Sequence, residues 1–125
     1  MGNEIYDDLD DLPAAPRIDI PVADLVLLER AANAIGAVRV EVIDGEGYVN
    51  LHLANGSVVH SWNPLAFSGD ALELAVKLNI NVLRFDAMTT AQPLFATWGC
   101  DERDDGDALA ATRRAITRAA SEIGT

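Results

Sequence analysis

At 125 residues, half of them apolar and 23% charged, the chain has the size of one ordinary domain and too much apolar material to be disordered. Its 20 acidic residues against 9 basic ones leave a formal net charge of −11, which opposes contact with nucleic-acid phosphate and favours a basic partner. Apolar runs such as Val22–Leu28 are broken by Asp24 and fall far short of the ~20 residues that span a bilayer; the first residues also lack the basic and apolar regions of a secretory signal. A cytoplasmic protein with no membrane partner is expected, and the single cysteine, Cys100, forbids an internal disulfide.

In chain order, residues 1–18 read as an acidic, flexible tail and linker, with Glu4, Asp7, Asp8, Asp10 and Asp11 ahead of Pro13 and Pro16. Ile5, Tyr6, Leu9 and Leu12 nevertheless recur at helical spacing, so the tail could fold on a basic groove or serve only as a solvating terminus. Residues 19–125 read as one domain. Leu25, Leu28, Ala32 and Ile35 predict a helix over 21–35, with Gly36 just past its end. Three antiparallel strands follow, marked by the alternations Val38-Val40-Val42 and Val49-Leu51-Leu53 and by the segment 57–62. A two-residue turn at Asn55-Gly56 would pair Ala54 with Ser57 and His52 with Val59.

Ser68 is the expected N-cap of a second helix that carries Asp70 in its first turn. Its residues Ala71, Leu72, Leu74, Ala75, Val76 and Leu78 cover most of its circumference, which predicts burial by more than one layer or a partner surface. Ile80–Phe85 reads as a fourth strand, 89–93 as a loop and Leu94–Trp98 as a fifth strand. Leu109, Thr112, Ile116, Ala119 and Ile123 mark a terminal helix that ends at Gly124. The fold class is therefore α+β: an antiparallel sheet of about five strands with helices packed on it, in the order α-β-β-β-α-β-β-α.

No catalytic motif is visible, and no cofactor or metal is expected. The expected turn puts His52 and His60 on opposite faces, and Cys100 has no ligand partner nearby. Segment 99–107 is rich in carboxylates but lacks the spacing of a calcium loop; it reads as a solvated loop whose last acids cap the terminal helix. Its Asp101, Glu102, Asp104 and Asp105, with the five acids of the tail, are the candidate contacts to a basic partner. Trp62, at a strand end before Asn63-Pro64, is either a core anchor or, with Tyr48 and Trp98, an aromatic wall. Arg113 and Arg114 beside such a wall would suit a phosphate-bearing base, so the alternative to a protein-binding module is a nucleotide-signal binder or sequestering protein. A homodimer is compatible with either.

Read together, His60-Ser61-Trp62-Asn63-Pro64-Leu65, Gly69–Leu78 and Ala110–Ala120 make the chain resemble the phage αβα-sandwich domain family of small prophage and bacteriophage proteins, over roughly residues 37–124. In that family a Trp-x-Pro turn precedes a helix, and an Ala-Arg-rich helix closes the domain. The resemblance implies a non-enzymatic accessory protein acting in the host cytoplasm. Its expected partner is a host protein with a basic groove, of the kind that anti-CRISPR or anti-restriction inhibitors block.

Overall fold

The computed structural model describes residues 16–125; Glu4, Asp7, Asp8, Asp10 and Asp11 lie outside the described residues. Helix α1 (Val22–Ala34) starts directly after Pro21, whose fixed φ suits a helix start, and buries Leu28, Ala31 and Ala32. Strands β1 (Ala37–Ile43), β2 (Tyr48–Leu53) and β3 (Val58–Trp62) form an antiparallel meander. Val49 and Leu51 are fully buried, as their alternation predicts. Val38 is not, because the β1–β2 register shifts between Ala37 and Arg39 and turns its side chain to solvent.

The turn between β2 and β3 corrects the expected register. Leu53 and Ser57 bracket a three-residue loop in which the Gly56 N–H donates to the Leu53 carbonyl at 3.0 Å and Gly56 takes a left-handed φ of 87°. Consequently His52 pairs with Val58, and Leu51 with Val59. Strand alternation from Val58 then puts His60 on the same side as His52, opposite to expectation.

Among the described residues six strands are present rather than five, and they form two separate three-stranded sheets, β1-β2-β3 and β4-β5-β6, rather than one. After helix α2 (Ser68–Lys77) come β4 (Ile80–Phe85), β5 (Met88–Pro93) and β6 (Cys100–Arg103). The segment expected as a loop, 89–93, is thus the central strand of the second sheet, with Thr89, Ala91 and Pro93 buried on alternate positions. Pro93 is tolerated there because it lies past Ala91↔Cys100, the last pair with β6, where no ladder bond needs its missing N–H. Leu94–Trp98, expected as a strand, is the connection to β6: Ala96 N–H closes a turn onto the Pro93 carbonyl, and Phe95 is left-handed. Cys100–Arg103, expected in a solvated loop, pairs with β5 instead.

Helix α3 (Ala108–Ile123) is capped by Asp107, whose carboxylate accepts the Ala110 N–H at 2.9 Å. It packs on β5 and β6 and runs alongside α1 and α2. Its buried face is made of small residues, Ala111, Ala115, Thr117, Ala119, Ala120 and Ser121, with Ile116; Leu109 and Ile123 of the expected stripe are exposed. Small residues allow the helices to approach closely. A Cβ on Gly124 would stand 1.8 Å from the Arg30 carbonyl oxygen of α1. One continuous core joins Leu28, Val49, Leu51, Trp62, Leu74, Ile80, Ala91 and Ile116, from both sheets and from helices α1, α2 and α3.

Candidate functional site

Most carboxylates proposed at 101–105 are already engaged within the chain. Asp101 accepts from the Thr90 hydroxyl, and Glu102 pairs with Arg118 and stands 4.0 Å from Arg114. Asp104 takes both ends of the Arg84 guanidinium, which holds its carboxyl below the usual range. Asp105 sits exposed in the turn before α3. These bonds fasten β6 and the residue after it to β4, β5 and α3, a structural use that sequence spacing alone does not reveal.

The aromatic and arginine candidates are divided between elements. Tyr48 and Trp62 belong to the first sheet, Trp98 to the β5–β6 connection and Arg113 and Arg114 to α3. Trp62 is only 2% exposed, so of its two readings the packing one describes it. Next to it, buried Asn63 is a junction: its Nδ2 donates to the Gly47 carbonyl at 2.8 Å, its Oδ1 accepts the Leu65 N–H, and its own N–H donates to Asp70. Ser68 is the first helical residue rather than the cap; Phe67 holds the cap position, and the Ser68 hydroxyl accepts from Arg113 at 3.2 Å. Arg113 also donates to the Leu65 carbonyl at 2.9 Å, while Arg114 bonds Asp24.

The other groups with chemical potential are dispersed. Cys100 is buried, and burial pushes its thiol above the usual value, which keeps it protonated and unreactive at neutral pH. His52 Nε2 lies 2.9 Å from both Glu41 Oε1 and Arg39 Nη2 on the outer side of the first sheet, and the bond to His52 lowers the Glu41 pKa. No nucleophilic side chain joins that pair by a hydrogen bond. Among the described residues no group of three or more His, Cys, Asp or Glu is arranged to hold a metal, and no helix is long and apolar enough to cross a membrane.

A groove of about 250 Å³ opens between α2, α3 and β4, and a second hollow of about 330 Å³ lies along α2 at Leu72, Glu73, Val76 and Lys77. Ala71, Leu72 and Ala75 form one wall of the groove, Leu109 and Ile116 the other, Val82 lies in it, and Arg113 contributes the charge. No histidine, cysteine or carboxylate lines it, so its chemistry is that of apolar contact. Of the two expectations for α2, burial by more than one layer is corrected: only Ala71, Leu74 and Ala75 of the helix proper are buried, whereas Leu72 and Val76 are 63% and 68% exposed. The second sheet covers one side of α3 and leaves that flank of α2 open. Spacing alone leaves both branches open, because an apolar side chain in a mostly apolar helix looks the same in sequence whether or not a layer covers it. No family model, curated protein or solved structure matches the chain.

Proposed function

We propose that this chain is a non-enzymatic accessory protein of the phage or prophage type, which binds and inhibits a host protein through a basic surface of that protein. The observation that supports this reading is an unbalanced surface charge. Arg17, Lys77, Arg84, Arg114 and Arg118 are each paired with a carboxylate of the same chain. Glu29, Glu46, Asp86, Asp105 and Glu122 stay exposed without an ion pair among the described residues, as do Arg30, Arg39 and Arg103, so the surplus rests on the 20 acids against 9 bases of the full chain. A surface left with surplus acids steers basic surfaces toward it and disfavours nucleic acid. A host enzyme whose basic groove normally holds DNA or RNA fits this chemistry, which is where a counter-defence role of the anti-CRISPR or anti-restriction kind would arise.

The test uses the full chain as bait in a lysate of the host bacterium, at low salt and at ~0.5 M salt, where electrostatic reach shrinks to a few ångströms. A stoichiometric partner is expected at low salt and lost at high salt. Reversal of Asp7, Asp8, Asp10 and Asp11 to Lys should abolish the capture. Retention of the partner by the reversed variant or at high salt, or capture of nothing, would overturn the reading.

A further inference from the structure

Four strands border the two sheets, and three of them are protected against pairing with another chain. β1 carries Arg39 and Glu41 and a break in register. β3 is interrupted by a register shift and by left-handed Ser61. β6 has only four residues, three of them Asp101, Glu102 and Arg103. Charges, bulges and shortness are the usual means by which an edge strand is kept from adding a neighbour.

β4 has neither a break in register nor the shortness of β6, and it carries a single charge, Arg84. Its sequence Ile80-Asn81-Val82-Leu83-Arg84-Phe85 contains no proline, its register with β5 runs unbroken from Ile80↔Pro93 to Phe85↔Met88, and its one charge is bound to Asp104. Every residue after Ile80 is exposed, with Val82, Leu83 and Phe85 at 39%, 51% and 50%. We propose that β4 is the interface with a second copy of this chain, pairing antiparallel across a two-fold axis.

The backbone defines the register. The Leu94 N–H donates to the Asn79 carbonyl at 2.8 Å, so hydrogen-bonded pairs toward β5 recur at Asn81, Leu83 and Phe85. The N–H and C=O groups of Ile80, Val82 and Arg84 therefore point to the free edge. A two-fold axis at Val82 sets Val82 against Val82 of the second copy and Ile80 against its Arg84, which satisfies all three residues with about six backbone bonds. The two sheets then become one continuous sheet.

The side chains agree with that axis. Val82 lies in the apolar groove, so pairing at Val82 brings the two grooves together and closes each with the other copy's α2. Leu72, Val76, Val82 and Leu109 leave on the order of 450 Å² open, about half of the ~800 Å² per partner that a stable interface buries, and the strand backbone adds to it. Self-complementarity is what an isologous contact needs, and a second copy supplies it by construction. Because each chain carries −11, salt should strengthen this contact, the reverse of its effect on an acidic surface meeting a basic partner.

Sedimentation of the full chain from ~1 to ~500 µM, at low and at ~0.5 M salt, tests the proposal. The expected result is concentration-dependent association to twice 13.4 kDa, tighter at high salt. Val82→Pro removes an N–H that the hairpin does not use and should weaken the dimer by at least ~10-fold while the monomer keeps its far-UV spectrum. Leu72→Glu, at a site exposed in the monomer, should weaken it similarly without a folding penalty. A wild-type monomer throughout, which would leave the edge to a strand of another protein or to solvent, or a dimer unmoved by both substitutions, overturns the proposal. Neither result bears on the capture of a basic partner.

Discussion

Single residues carry most of the tertiary ties of this protein, and two of them yield measurable expectations. Asn63 is 6% exposed and bonds the β1–β2 turn, the segment leading to α2 and, through its N–H, the first turn of α2. Asn63→Ala leaves the Gly47 carbonyl and the Leu65 N–H without these partners, and should cost about 2–3 kcal/mol in urea denaturation at an unchanged slope. Asp104 gives a pH dependence. The Arg84 bond lowers its folded pKa below 3.8, so its contribution is fully present above that value and is lost as pH falls through the lowered one. Wild type and Asp104→Asn should differ in urea midpoint at pH 7 and converge as acidification protonates Asp104, below the ordinary carboxylate range. A difference that persists there would assign the effect to packing. Asp70 has the opposite sign: burial raises its pKa, so its protonation favours the fold as the solution is acidified.

At the scale of elements, local pattern and long-range pairing contribute differently. The helices and the first four strands stand close to where periodicity puts them, because apolar spacing of 3.6 or 2 residues reflects burial directly. The β4–β5 hairpin was hidden for a local reason: its turn, Asp86-Ala87, has φ of 49° and 55° without a glycine. With no glycine, the turn signal is weak, and Thr89–Pro93 reads as a loop. Ala87 pays a steric cost in that conformation, so Ala87→Gly should raise stability by about 0.5–1 kcal/mol in urea denaturation. A loss instead would mean that the turn is not strained. β6 was hidden because its charges read as solvated, whereas Glu102 pairs with Arg118, far away in sequence.

For the whole molecule, the single core has a consequence for unfolding. Both sheets bury side chains against the same three helices, so neither sheet has a core of its own. Far-UV circular dichroism and tryptophan fluorescence, which reports Trp62 of the first sheet and Trp98 beside the second, should give coincident urea transitions. Two separated transitions would mean that the sheets fold as independent units. The same wholeness explains the candidate surfaces: α3 is covered by the second sheet and by two helices, and what is left over is the flank of α2 and the edge of β4.

The α+β class, helices α1 to α3, the acidic balance and the absence of a recognisable catalytic motif are legible in the linear order of residues, because all rest on composition or on spacing along the chain. Only the tertiary structure decided that six strands divide into two sheets, that Trp62 is core, that the acids at 101, 102 and 104 are spent inside the fold, and that Leu72, Val76 and β4 face solvent. The physical reason is the same in each case. Periodicity states which side of an element is apolar, but which apolar side is covered, and which charge finds a partner, depends on segments tens of residues away.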